Sequence, residues 1–363
     1  MRQLIRNMGL YLRKLLIFLI RKLGFIRLIQ FINRNKIVIL LMHGVMDDKD
    51  DVLWTPLRPR LSRDGLEEYV QTLSKYYNFI SLPDAVEMLA GRKPVKPYSM
   101  VFTFDDGYRN NLTHALPVLR RYKAPATFFV STGFLNNPRP FWWDRLDYAM
   151  QHGEINGREV KICSMTTRLD NSNRETLLES YHKVNPEQMS DPEFVNEFEK
   201  IAAQLEQESG CSLSEIQNKD NWSAILTWDE IVKNVNGDVT IGSHTVDHIR
   251  LRYVDKETAY EQLVNSKRDI EEHTKKPCLS LCYPYGSFND EIIGLARKCG
   301  YVCGFTTKEG LNRPGDDLMR LRRIYLPVES KNENLLLYTS GISAAKHNMK
   351  RRLLKCKFLK IFF

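Results

Sequence analysis

Thr103-Phe104-Asp105-Asp106-Gly107 closes an apolar run, Ser99-Met100-Val101-Phe102, that reads as a buried β-strand. Far downstream, Ser243-His244-Thr245-Val246-Asp247-His248 closes a second such run, Val239-Thr240-Ile241-Gly242. α/β folds carry their chemistry on side chains that emerge at strand ends. Two adjacent carboxylates and two imidazoles emerging there are the raw material of a hydrolytic metal site.

Outward from these two strands, short β-branched or aromatic runs alternate with polar-faced helical stretches. The other runs are Ile37 to Leu41, Phe79 to Leu82, Ala126 to Ser131, Leu279 to Tyr283, Val302 to Thr306 and Ile324 to Val328, with helices such as Leu66 to Tyr76 and Asp255 to His273 between them. Alternation of this kind predicts an α/β fold with a mostly parallel sheet, and eight such units fit a (β/α) barrel better than a short doubly wound sheet. From about Asp144 to Ala224 the composition shifts to Glu, Asn, Ser and Lys with helical apolar spacing, which predicts a helical insertion. It opens on Phe141-Trp142-Trp143-Asp144, either a sugar-stacking platform or lid, or aromatics that pin the insertion to the barrel; packing is the commoner use of such side chains. The expected organisation is a basic segment 1–35, a barrel built from 36–143 and 225–335, an insertion 144–224 and a basic tail 336–363.

A chain of 363 residues with 43% hydrophobic and 27% charged residues buries an ordinary globular core. Its net charge of +9 is unevenly spread: residues 1–46 hold nine Lys/Arg and no acid, and residues 334–363 hold seven and no acid. Removing those sixteen charges leaves the middle at about −7. In the first segment Leu and Ile alternate with Arg and Lys at near-helical spacing, and the longest uncharged apolar stretch, Leu15 to Ile20, is far short of a bilayer span. Recurrent basic residues also disfavour a cleaved signal peptide. A basic amphipathic helix on an anionic membrane surface is expected for both ends, the plain alternative being a packed helix and a solvated tail. No nucleic-acid module is visible, so no nucleic-acid partner is expected. Seven cysteines without a repeated spacing argue against a disulfide framework and for a reducing compartment.

His244 and His248 stand four apart, so on a helical turn both rings share one face and can share a metal. Thr245, not Glu, follows the first histidine, so any general base comes from elsewhere, and Asp105-Asp106 is the natural supplier. Each fragment alone is weak: most such histidine pairs bind nothing, and Asp-Asp-Gly is most often a turn.

Taken together, the two fragments resemble the signature pair of the polysaccharide deacetylases, the NodB-like carbohydrate esterases. The likeness extends to Cys282-Tyr283-Pro284-Tyr285-Gly286, similar to that family's third motif, and to Leu321-Arg322-Arg323-Ile324, similar to its Leu-Pro-Arg-Ile segment. It covers roughly Lys36 to Val328 apart from the insertion. The resemblance implies a distorted, TIM-like (β/α) barrel of seven or eight strands and a divalent metal, often zinc, held by Asp106, His244 and His248, with Asp105 as base. No Leu-x-His motif, the family's usual source of the acid, follows Val328. Leu40-Leu41-Met42-His43-Gly44-Val45 is similar instead to the opening segment of the permuted poly-N-acetylglucosamine deacetylase branch, which implies His43 as acid, the plain alternative being a hydrogen-bonded core histidine. Where many relatives carry an Arg in the third motif, this chain has Cys282 or Tyr283, and Arg323 can supply the missing charge. Pro284 and Tyr285 are expected at the substrate, with a Tyr285 amide available to an oxyanion. Asp316 or Asp317 can orient His43 or merely solvate a turn.

The implied reaction is hydrolysis of N-acetyl groups on amino sugars of a polysaccharide or lipid-linked glycan precursor, at the inner membrane face. A cell-surface or periplasmic deacetylase of finished polysaccharide or peptidoglycan, a catalytically silent membrane scaffold, and a hydrolase of small cyclic amides are the alternatives.

Overall fold

The computed structural model describes residues 25–47, 54–56, 61–152, 159–162, 165–168, 191–217, 219–326 and 332–342. The basic stretches 1–24 and 343–363 lie outside them. Eight strands match the eight apolar runs: β1 Val38–Met42, β2 Asn78–Phe79, β3 Ser99–Phe104, β4 Ala126–Val130, β5 Val239–Ser243, β6 Ser280–Cys282, β7 Cys303–Glu309 and β8 Leu321–Tyr325. All pair in parallel, in the order β1-β8-β7-β6-β5-β4-β3, and β3 returns to β1 through Val38↔Met100 to Met42↔Phe104. Seven strands therefore close a (β/α) barrel, and β2 attaches outside the ring to Ser99 and Met100.

Period-two alternation sorts the strand residues into two cores. Val38, Leu40, Met100, Phe102, Phe104, Ala126 and Phe128 pack outward against Leu66 and Val70 of helix Arg63–Ser74 and Leu116 and Leu119 of the Leu116–Arg121 helix. Ile39, Val101, Phe129, Phe305 and Leu321 point into the lumen, where Leu82, Val86 and Leu89 of helix Leu82–Leu89 stopper its N-terminal end. The lumen phase, continued in steps of two to the strand ends, delivers His43, Asp105, His244 and Cys282 to the C-terminal mouth.

Two expectations needed correction. Strand β8 starts at Leu321, three residues before the apolar run, because the Arg323 side chain turns into the lumen and is only 1% exposed. The 144–224 insertion is not wholly helical: helices Trp142–His152, Asp191–Ser209 and Leu213–Ile216 accompany an antiparallel pair, Glu159–Ile162 with Met165–Arg168. Four-residue strands carry too little alternation to stand out. Helices Trp142–His152 and Asp191–Ser209 share a small core of Trp142, Leu146, Phe198 and Leu205.

Lumen packing makes Gly242 obligatory, since a Cβ there would collide with the Phe129 ring and Ser280 Oγ. Gly242→Ala is expected to lower stability by about 1–3 kcal/mol in urea unfolding. Gly237→Ala, which meets nothing within 4 Å, serves as the control and should stay within about 0.5 kcal/mol of wild type.

Candidate metal centre and its carboxylate base

Asp105 extends the β1–β3 ladder by donating its amide to Met42 O at 2.9 Å. The chain then reverses through two left-handed residues, Asp106 (φ 75°) and Gly107 (φ 84°). Asp tolerates that region better than most residues. Gly107 is required twice, for its φ and because a Cβ would press on Val130 at 3.2 Å. This reversal lets adjacent carboxylates, which an extended strand would point apart, both face the mouth.

The histidine pair is not on a helical turn, contrary to the spacing argument. Thr245 (φ 68°) and His248 (φ 55°) are left-handed, and side chains stitch the loop: Ser243 Oγ accepts from Thr245 N at 3.1 Å, and Thr245 Oγ1 accepts from His248 N at 3.0 Å. Gln262 Oε1 accepts from Val246 N and Asp247 N at 3.1 and 2.9 Å. The i,i+4 separation still brings the two rings to one point, 4.7 Å between centroids.

Both Nε2 atoms converge on Asp106 Oδ1, from His248 at 3.3 Å and from His244 at 3.6 Å. Ligands about 2.0–2.1 Å from a tetrahedral ion stand about 3.3 Å from one another, so the donor set fits a divalent metal. His244 Nδ1 lies 2.7 Å from Cys282 O and donates to it, which leaves the Nε2 lone pair free for a metal. Burial is the main reason that His244 drops to a pKa of about 4, so the ring is neutral at ordinary pH. Burial opposes the charge on Asp106, yet the hydrogen bond from His248 and the surrounding imidazoles outweigh it and hold the carboxyl below its usual range.

Asp105 belongs to a different network. Arg323 grips it bidentately, Nη1 to Oδ1 at 2.7 Å and Nη2 to Oδ2 at 2.8 Å, and also donates from Nη1 to Thr103 Oγ1 and from Nε to Thr306 O. Cys282 Sγ completes the set, 3.4 Å from Asp105 Oδ2 and 3.1 Å from Arg323 Nη2. Burial raises the Asp105 carboxyl, but the Arg323 charge and hydrogen bonds prevail, and Asp105 is a carboxylate. Of the two third-motif candidates for the arginine's place, Cys282 faces Asp105. Tyr283 points the other way, stacking on Phe288 and donating to Met319 O at 3.1 Å.

His43 follows β1 directly beside Asp105, is half-buried, and lies near enough for its charge to act on both aspartates. Pro284 is buried in a tight turn, and Tyr285 (φ 57°) sets its ring 4.8 Å from that of His248. Asp316 and Asp317 do not approach His43. They lie on the loop leading into β8, at the opposite end of the barrel, paired with Arg313 and Arg297.

Trp143 is a residue that sequence reasoning undervalued. Trp142 packs into the insertion against Phe198, the commoner use of such a side chain, whereas Trp143 stacks on Phe141, sets its ring 5.1 Å from His248, and donates from Nε1 to Tyr108 OH at 3.2 Å. The dense Phe-Trp-Trp-Asp cluster was the signal that carried it.

A family model described as polysaccharide deacetylase matches residues 92–217 and 213–304 of the chain. Bacillus subtilis YxkH, assigned by name to the same family, is 26% identical over 99 residues, 27% of this chain and 36% of that protein. The poly-beta-1,6-N-acetyl-D-glucosamine N-deacetylase of Escherichia coli is 27% identical over 104 residues, 29% of this chain and 15% of that protein. The matches thus span well under two thirds of either relative. The deacetylase PplD of Streptococcus pyogenes, solved in complex with acetate, superposes with a TM-score of 0.56 at 18% identity, over 84% of this chain and 98% of its own, a likeness of fold.

Arg323→Met leaves the buried Asp105 charge without its partner and is expected to cost about 3–5 kcal/mol in urea unfolding. Adding Asp105→Asn should recover part of that loss, which a double-mutant cycle reads directly.

Proposed function

The chain belongs to the polysaccharide deacetylase family, and from that premise we propose that it hydrolyses N-acetyl groups on amino sugars of a polysaccharide or lipid-linked glycan precursor, releasing acetate and leaving a free amine. The observation that carries this reading is the pairing of two carboxylates in different company: Asp106 among imidazole nitrogens, Asp105 locked by Arg323.

In this proposal Asp106, His244 and His248 would hold a divalent metal, zinc in our reading, which when bound acidifies a water and polarises the acetyl carbonyl. Asp105, ionised and fixed in position, takes the proton from the attacking water, and Arg323 keeps it unprotonated for the task. His43, on the neighbouring strand end, gives a proton to the departing nitrogen. The Pro284-Tyr285 turn borders the acetyl group, with the Tyr285 amide donating to the developing oxyanion.

We further propose that the enzyme works as a peripheral protein on the inner membrane face, held by its basic ends. Among the described residues no helix is long and apolar enough to cross a membrane.

Asp105→Asn is expected to abolish acetate release while metal stays bound, whereas His244→Ala loses the metal, both read by elemental analysis beside an acetate assay. Retained metal and retained activity in both variants contradict the assignment. Arg323→Lys keeps a charge but loses the planar fork, so the Asp105 carboxyl rises and the acid limb of kcat/KM moves to higher pH. An unmoved limb would separate Arg323 from the base.

A further inference from the structure

We infer that the N-terminal end of the barrel is the face that lies on an anionic bilayer, so that the catalytic mouth opens away from the membrane. The inference rests on the membrane-surface reading and adds a direction to it. Helix Phe25–Ile32 buries Ile26 and Gln30 and exposes Phe25, Leu28, Phe31 and Ile32 on its opposite side. An apolar stripe turned away from the core is the reverse of a packed surface helix and matches one that seats in lipid.

Chain entry and exit are tied together at this end. Gln30 Nε2 donates to Tyr77 OH at 3.2 Å, Tyr77 OH to Thr339 Oγ1 at 3.0 Å, and Asn33 Nδ2 to Ser340 O at 2.8 Å. The acid-free basic stretches on either side of the body therefore join it at one place. Two further exposed apolar residues, Leu279 and Val302, are joined by a 2.8 Å backbone hydrogen bond just ahead of β6 and β7, on the same end. Loops leading into the strands add Lys36, Lys75, Lys96, Lys123, Lys275 and Lys276, while Asp238, Asp316 and Asp317 on the same loops are each paired with an arginine, in a body that is otherwise net acidic. Basic and apolar groups mixed on one face fit anionic headgroups over acyl chains.

Asp105, Asp106, His244 and His248 stand at the other end, beyond strands such as β1 that are about 17 Å long. A sugar joined directly to a lipid carrier would lie under the barrel and out of reach. The orientation selects amino sugars presented from the aqueous side, several units from any anchor.

The test uses the full chain with phosphatidylcholine vesicles with and without phosphatidylglycerol. Flotation should occur only with the anionic lipid, and Leu28→Asp/Phe31→Asp, with wild-type circular dichroism, should weaken it about tenfold or more. Hydrogen exchange on bound protein should slow in residues 25–34, 91–98 and 274–279 and stay unchanged in 245–252 and 283–289. Absent flotation overturns the membrane reading itself. Flotation with slowed exchange at 245–252 and 283–289 overturns the orientation alone. Full protection of 25–34 in free protein would show that the chain's own flanks cover the stripe, which also overturns it.

Discussion

The buried ion pair between Asp105 and Arg323 is the constraint on which the mouth depends. Two charges under 5% exposed cannot be left unmatched, and their fork geometry fixes both strand ends to which they belong. Arg323 must enter the lumen, so β8 begins early and carries Leu321 and Arg323 inward in phase. Cys282 fits beside the pair because a second arginine on β6 would have no counter-charge. Cys282 on β6 and Arg323 on β8 thus meet at one carboxylate, with Arg323 supplying its counter-charge.

That pair also divides the labour of the two aspartates. Asp105 spends its lone pairs on Arg323 and Cys282 and keeps a fixed orientation. Asp106, one residue on and in a left-handed conformation, faces the imidazoles of His244 and His248. The backbone reversal at 106–107 is the local strain that makes adjacent residues serve separate networks, and Gly107 is what keeps it affordable.

Much of this was legible from residue order. Eight apolar runs located the eight strands because β-branched and aromatic side chains in buried parallel strands leave near-continuous signals. Asp105, Asp106, His244 and His248 meet as their motifs suggested, although the histidine spacing does so through a loop held by Ser243, Thr245 and Gln262, which no periodicity reveals. The Glu159–Ile162 hairpin escaped notice for its brevity. Arg323 concealed the start of β8, since a charge in a strand ordinarily signals an exposed position. Trp143 and Cys282 owe their places to tertiary contact, with the insertion and across the barrel, and such contacts are invisible until the ring is closed.

We propose that Asp106, His244 and His248 hold a metal and, with the locked carboxylate beside them, remove acetyl groups from amino sugars. Acetate and free amine released from N-acetylglucosamine oligomers, measured on chelated protein titrated with zinc, test it most directly. Expected are no release without metal, and equimolar acetate and amine that saturate at one metal per chain. Undiminished release from metal-free protein, or none from any acetylated acceptor with the metal bound, would contradict it.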